Sequence, residues 1–352
     1  MKTGWETRKL GDLCRIRTGK KDVNEGNPDG KFPFFTCAAE HTFSDSFSFD
    51  AEALLIAGNG DVGKVSYYKG QFEAYQRTYV LTDFSNVLPR FLFLILDGKL
   101  QDTVSKQKLG NTMPYIKVGM LTDFPMPVPP LPEQRRIVGI LDEAFAGIAT
   151  AKANAEKNLQ NARAIFESHL QGVFERREGW NSRPFEDCIE DVKYTTKIQR
   201  ADFLDAGEFP IISQEAEFTN GFWDNSDDLF KVTRPVVIFG DHTKVLKFVD
   251  FDFVLGADGV KILPPKQFLV PKFFFYYLKS VPLKSLGYSR HYRLLKELVI
   301  PFPQPSEQSA IAKKIEQLEA ETHRLTALYQ QKLTALEELK KSLLHRAFAG
   351  EL

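Results

Sequence analysis

The residues of this chain best suited to holding a ligand lie in short runs of arginine, lysine, tyrosine and amide side chains. The densest is GYSRHYR, which places Tyr288, Arg290, His291, Tyr292 and Arg293 close together. Arginine grips a guanine edge through paired hydrogen bonds, amides suit adenine, and lysine anchors phosphates. The same residue types recur at Lys197 and Arg200, at Arg15, Arg17 and Lys20, at Arg77, and at Lys106, Lys108, Asn111, Thr112 and Tyr115. A single cation of this kind is an ordinary solvated charge. The Tyr288–Arg293 run, with cations and aromatics interleaved, reads as a contact surface. Asn59 and Lys64 come after the apolar run at 54–58, and His242 and Lys244 after the one at 236–240. Both pairs read as hairpin tips, suited to base edges or phosphates and equally to plain solvated turns.

No grouping suits catalysis. GNGDVG (Gly58, Gly60, Gly63) has the spacing of a dinucleotide-binding loop, but such a loop must open a helix that receives the pyrophosphate. The run immediately downstream, KVSYY, is β-branched and aromatic. It predicts a strand, so the glycines make a hairpin turn. The chain lacks the Asn-Pro-Pro-aromatic and Asp-Pro-Pro-aromatic motifs of amino-methyltransferases, a Walker loop and a His-Glu-x-x-His zinc motif. Its histidines show no metal-ligand spacing. The expectation is a protein that is not an enzyme and holds no metal or cofactor.

The elements that must position these runs come in duplicate. The stretch from Pro129 to about Arg177 aligns without a gap on Pro303–Leu352 after a shift of 174 positions, which superposes Glu133-Gln134 on Glu307-Gln308, Ile137 on Ile311 and Phe174 on Phe348. Both stretches show the three-four spacing of apolar residues that marks a coiled-coil helix. The seam positions are Ile137, Leu141, Ile148, Ala155 and Ile165 in the first, and Ile311, Ile315, Leu318, Leu325, Tyr329, Leu336, Leu339 and Leu343 in the second. The first seam is alanine-rich and the second leucine-rich, so the two fill space against each other. Prolines precede each helix, and a glutamate sits in each first turn, where the helix dipole favours negative charge. The ends are set near Gly179 and at Gly350.

The intervening segments repeat as well, with little identity. Phe209-Pro-Ile-Ile-Ser213 answers Phe32-Pro-Phe-Phe-Thr36, and Phe273–Leu278 answers Phe91–Leu96. The predicted fold class is α+β: two similar mixed α/β globules, separated and joined by two long helices that form an intramolecular antiparallel coiled coil with pseudo-twofold symmetry. The expected boundaries are 1–130 and 178–304 for the globules, with 131–177 and 305–352 for the helices.

Composition narrows the class. Lys plus Arg equals Asp plus Glu at 46 each, so the net charge is zero and any nucleic-acid surface must be local. Three cysteines without a paired motif read as buried free thiols. The N-terminus has no apolar signal core and no apolar run is long enough to span a bilayer, which predicts a cytoplasmic protein.

With these features assembled, the chain resembles the specificity subunits of type I restriction–modification systems. The residues that carry the resemblance are PPLPEQRRIVGILDE after the first globule, the Pro-x-Pro-Ser-Glu-Gln-x-x-Ile-Ala-Lys-Lys-Ile run after the second, and the C-terminal LLHRAFAGEL. Trp5-x-x-Arg8-x-Leu10-Gly11-Asp12 and the GNTMPYIK segment add to it. The second copy has GYSRHYR where a GNTMP match is expected. The resemblance covers the whole chain. It implies two target-recognition domains, each reading one half of a split, asymmetric site in double-stranded DNA, with the helices setting the spacing. It also implies two methylating subunits as partners, restriction subunits that join them, and S-adenosylmethionine, ATP and magnesium held by those partners. The other class that fits is a coiled-coil assembly protein whose globules bind proteins.

Overall fold

The computed structural model describes residues 4–352, except 39, 106–108, 110–113, 176–178, 257–258 and 288. Lys106, Lys108, Asn111, Thr112 and Tyr288 therefore lie outside the described residues. In chain order the first half holds β1 (Glu6–Lys9), β2 (Arg15–Thr18), β3 (Phe32–Phe35), β4 (Thr42–Ser44), β5 (Phe49–Ala57), β6 (Val65–Ala74), β7 (Thr78–Thr82), α1 (Pro89–Ser105), α2 (Val118–Thr122), β8 (Pro125–Val128) and α3 (Leu131–Glu175). The second half holds β9 (Asn181–Pro184), β10 (Lys197–Ile198), β11 (Phe209–Ile212), β12 (Gly221–Trp223), β13 (Leu229–Phe230), β14 (Val236–Gly240), β15 (Leu246–Val249), β16 (Phe253–Gly256), β17 (Val260–Leu263), α4 (Pro271–Ser280), α5 (Tyr292–Lys296), β18 (Val299–Phe302) and α6 (Pro305–Ala349). Two compact units result: 1–156 with 331–352, and 157–330.

In the first unit, six strands form one sheet in the order β2-β7-β5-β6-β3-β4. β5 pairs antiparallel with β6 and β7, while β3 runs parallel to the far end of β6, with Phe34 opposite Glu73 and Phe35 opposite Ala74. Apolar side chains of β5 and β7 meet Phe91, Leu92, Ile95 and Leu96 of α1, and the same core takes in Ile137, Leu141, Leu344, Ala347 and Phe348 from the long helices. The GNGDVG segment is the β5–β6 turn. Gly60 and Gly63 have positive φ, a backbone region glycine enters without strain. The KVSYY run beyond them enters β6, in agreement with its β-branched and aromatic composition.

The second unit repeats this connectivity in broken form. β14 pairs antiparallel with β15 and β17, as β5 does with β6 and β7. β11 runs parallel to β16, with Ile211 opposite Val254 and Ile212 opposite Leu255. One long strand, β6, makes both sets of pairings in the first unit and passes through Gly70 at φ +136°. Its counterpart is divided at 250–252 into β15 and β16. The second unit therefore carries a five-stranded sheet and a three-stranded one. Small antiparallel pairs, β1 with β8 and β9 with β18, close the base of each globule.

Within each unit the α3 and α6 segments run antiparallel. In the first, Arg136 donates to the Leu352 carbonyl at 2.6 Å, Lys340 lies 5.4 Å from the Phe145 ring centroid, and Lys152 pairs with Glu337 at 2.5 Å. In the second, Trp180 donates to Glu307 at 3.2 Å, and Phe166, Leu170 and Phe174 share a core with Ala312 and Ile315. Gly350 ends α6 with a left-handed turn, and the Glu351 N–H returns to the Arg346 carbonyl at 2.9 Å.

Ile137, Leu141, Ala155 and Ile315 are buried, while Ile148, Ile311, Leu318, Leu325, Tyr329, Leu336 and Leu343 are half-buried. Two seam assignments need correction. Ile165 is 62 % exposed and Leu339 is 46 % exposed. Ala162, Phe166 and Leu170 face inward around Ile165, and Leu336, Leu343 and Leu344 do so around Leu339. A strict seven-residue spacing drifts against the 3.6-residue helix, so apolar type alone misplaces positions beside the seam.

Candidate nucleic-acid interface

At one end of the first globule, four chain segments meet: the end of β2, the β5–β6 turn, the β6–β7 turn and the stretch before α2. The Gly58 N–H donates to the Arg77 carbonyl at 3.0 Å, the Gly19 N–H to the Thr78 carbonyl at 3.3 Å, and the Ile116 N–H to the Gly58 carbonyl at 2.9 Å. Tyr79 donates its hydroxyl to the Ile116 carbonyl at 2.9 Å. These approaches depend on missing side chains. A methyl group at Gly19 would meet the Ala74 carbonyl oxygen at 1.8 Å, and one at Gly58 the Arg77 carbonyl oxygen at 2.3 Å. The result is a cleft of about 410 Å³ lined by Thr18, Arg77, Tyr79, Tyr115 and Lys117, among others.

Around this end Lys20 and Arg77 are exposed and Lys64 is half-buried. Arg15, also exposed, sits at the other end of β2, opposite Thr82, and is not part of this cluster. Arg17 donates to Thr82 at 3.0 Å and lies over the Phe49 ring. Its guanidinium thus braces the sheet. Asn59 is buried and forms a bridge with Tyr115, so it ties the β5–β6 turn to the stretch before α2 and does not stand out as a tip donor. Lys64 is 3.9 Å from Asp61.

The matching end of the second globule repeats two of the first globule's backbone contacts, the Asp241 N–H donating to the Gly259 carbonyl and the His291 N–H to the Asp241 carbonyl, both at 2.7 Å, and adds side-chain ones. His291, read from the sequence as a contact residue, is 1 % exposed. The Leu286 N–H donates to its Nε2 at 3.0 Å, which leaves Nδ1–H to donate to the Asp241 carbonyl, also at 3.0 Å. Asp241 in turn accepts from the Tyr292 N–H at 2.7 Å. His291 is therefore a strut between the 283–293 segment and the β14–β15 turn. Tyr292 starts α5, is half-buried, and sets its ring edge against Phe185 with Lys261 and Lys296 over its faces. Of the described residues in the GYSRHYR run, only Ser289, Arg290, Arg293 and Gly287 stand exposed. The run alternates between filling the globule and facing solvent, which its composition alone does not disclose.

Lys244, at φ +61°, reaches the Leu283 carbonyl at 3.4 Å. Gln214 accepts from the His242 N–H at 3.2 Å through its side chain and from the Thr243 hydroxyl, at 2.5 Å, through its carbonyl. Arg200 pairs with Glu215 at 2.8 Å, and Lys197 lies 5.2 Å from the Tyr194 ring centroid.

Sequence reading missed the residue that holds this loop. Lys247 is 3 % exposed and donates to the carbonyls of Glu217 and Phe218 and to Asn220 Oδ1, at 2.5, 3.2 and 3.0 Å. Burial pulls its pKa down to about 8, although Glu215 and Glu217 act in the other direction. A lysine alternating with apolar residues in Leu246–Val249 looks like an outward strand position. Only the 213–220 loop folding over it reveals its role. The cysteines are buried, and burial alone pushes the Cys14 thiol up to about 12 and is the main cause holding Cys188 at about 11.

The repeated topology, the two paired-helix segments and the cationic, aromatic loop ends define a duplicated two-globule protein of the kind the sequence suggests. The sequence matches the type I restriction modification DNA specificity domain over residues 2–160 and again over residues 177–337, and the chain belongs to that family. It is 39 % identical over 153 residues to the type I restriction enzyme EcoDI specificity subunit of Escherichia coli, a stretch covering 44 % of this chain and 34 % of that subunit. It is 19 % identical over 401 aligned positions to the MjaVIII specificity subunit of Methanocaldococcus jannaschii, covering 99 % of this chain and 93 % of that one. Among solved structures, a chain from a study of complex assembly and conformational transition of the type I R-M system matches with a TM-score of 0.79 at 17 % identity, over 99 % of both chains. The HsdS subunit from Thermoanaerobacter tengcongensis matches with a TM-score of 0.60 at 18 % identity, over 100 % of this chain and 98 % of that one. At such identities the structural likeness speaks for the fold. Among the described residues, no helix is long and apolar enough to cross a membrane.

Proposed function

We propose that this chain is the non-catalytic recognition subunit of a type I restriction–modification complex. Each globule reads one half of a split, asymmetric site in double-stranded DNA, and the helix pair fixes the distance between the halves. Two methylating subunits dock on it, restriction subunits join them, and the S-adenosylmethionine, ATP and magnesium chemistry belongs to those partners. The observation that carries this reading is repetition with divergence. The two globules keep one strand connectivity, yet their loop ends share almost no side chains. A pseudo-twofold scaffold of this kind can address two different half-sites where a homodimer addresses two identical ones.

Exposed cations at both ends, Lys20 and Arg77 in one and Arg200, Arg290 and Arg293 in the other, supply phosphate anchors and base-edge donors. Half-sites one helical turn apart are separated by about 34–36 Å, and helices of 45 residues such as α3 and α6 span about 68 Å. The test is to co-express the chain with a methylating subunit of its own system and map modified adenines across a genome. The expected result is one bipartite motif with a fixed spacer. A continuous motif, or no modification by an assembled complex, overturns the proposal. Removing one heptad from each helix takes out about 10 Å and is expected to shorten the accepted spacer by roughly three base pairs; an unchanged spacer removes the ruler role.

A further inference from the structure

Glu133-Gln134 and Glu307-Gln308 superpose in the duplicated sequence, and the glutamines do the same work in the two units. Both are fully buried. Gln134 accepts from the Leu88 N–H at 2.8 Å and donates to the carbonyls of Asn86 at 3.1 Å and Pro129 at 2.8 Å. Gln308 accepts from the Val270 N–H at 2.7 Å and donates to the carbonyls of Phe268 at 2.9 Å and Pro303 at 2.9 Å. In each unit one amide ties the residue just before a globule helix, α1 or α4, to the proline segment that opens a long helix, α3 or α6. No other side chain type of this size presents an acceptor and two donors in one plane.

A second brace repeats beside each amide. Arg90 donates to Asp142 through Nε and Nη2 at 3.1 and 2.7 Å, and Lys272 pairs with Glu316 at 2.9 Å. The ion pair occupies the same place in both copies with both residues exchanged for others of the same sign. The glutamine is unchanged. Around these braces the globules have diverged almost completely. A buried polar group that recurs with the same three backbone partners in two diverged copies points to a geometric task, since apolar packing would fill the volume equally well.

We infer that Gln134 and Gln308 are positioning residues that fix the angle of each globule on its own long helix, and so set how strictly half-site spacing is enforced. The inference rests on the DNA-reading function proposed above and deepens it. Each amide sits at the base of its globule, whereas the candidate contacts lie at the loop ends. A small rotation at such a junction becomes a larger displacement at the reading end, as at any hinge.

Two measurements test it. In the first, complexes carrying Gln134→Met or Gln308→Met are assayed for methylation on duplexes whose spacer is one base pair longer or shorter than the preferred one. The unaltered complex is expected to reject these duplexes. Each variant is expected to keep the same half-site sequences while its discrimination against wrong spacers falls roughly tenfold. In the second, spin labels at Lys69→Cys and Asn154→Cys, both exposed and in one unit, report the globule-to-helix distance in the free chain. Gln134→Met is expected to broaden that distribution. If Gln134→Met does not fold, Asp142→Asn, which weakens the exposed brace of the same junction, takes its place in both assays with a smaller shift in the same direction. Folded variants with unchanged spacer discrimination and an unchanged distance distribution overturn the inference. If the unaltered complex shows no bipartite motif while the label distance broadens, the DNA reading fails and the hinge role stands.

Discussion

The loop ends of the two globules share a backbone framework and differ in what reinforces it. In each, a turn residue donates its N–H to a neighbouring segment (Gly58 to Arg77, Asp241 to Gly259), and its carbonyl accepts from the stretch before the short helix (Ile116, His291). The first adds the close approach of Gly19 and the Tyr79 hydroxyl. The second adds more side chains: His291 on Asp241, Gln214 with Thr243, and Lys247 with the 213–220 loop. The strand connectivity beneath is shared. Position is thus a property of the common framework, and the means of holding the loops varies with the loops themselves. Scaffold and content can then change independently, as the proposed reading of two different half-sites requires.

This comparison can be broken experimentally. The largest effect is expected from Gly19→Ala, which drives a methyl into the Ala74 carbonyl at 1.8 Å. A destabilisation of about 3 kcal/mol, seen in denaturant unfolding, should accompany loss of the first half-site alone. Equal loss at both halves would mean that the two ends are not independent.

Lys247→Met should come next, at about 2 kcal/mol, because it removes the charge-assisted hydrogen bonds by which a buried ammonium holds the 213–220 loop. It should relax reading of the second half-site only. Its pH dependence has a defined sign. The folded-state pKa, about 8, lies below the ordinary value of 10.5, so the unfolded chain binds more protons between those values. Stability from this group therefore rises with pH across that window, and the deficit of the Met variant should widen from pH 8 towards pH 10. A deficit that is flat or shrinks over this range would show that Lys247 is not held as described.

The smallest effect on stability is expected from Arg290→Ala combined with Arg293→Ala. Both side chains are exposed, so unfolding should shift by no more than about 0.5 kcal/mol. Binding at the second half-site should weaken or lose selectivity while the first is untouched. Equal weakening at both would assign these arginines a general phosphate role.

Much of this molecule was legible beforehand because periodicity and punctuation are local signals. The three-four spacing gave both long helices, Gly60 and Gly63 before a β-branched run gave a hairpin, and the 174-residue shift gave the duplication. The functional ends were legible only as clusters. Whether a residue of GYSRHYR faces solvent depends on what covers it, and the cover comes from Asp241, some fifty residues away in sequence. Ile165 and Leu339 looked like seam residues because apolar type was the only available criterion.

The sequence by itself determined the repeat, the element types and the absence of recognisable catalytic motifs, since these depend on neighbouring residues and their spacing. Tertiary structure alone decided that His291 is a strut, that Lys247 is buried and that Gln134 and Gln308 hold the bases of the globules. Each of those roles is a set of hydrogen bonds to backbone groups distant in the chain. Burial makes such bonds obligatory, but no local pattern announces which partners will close over them.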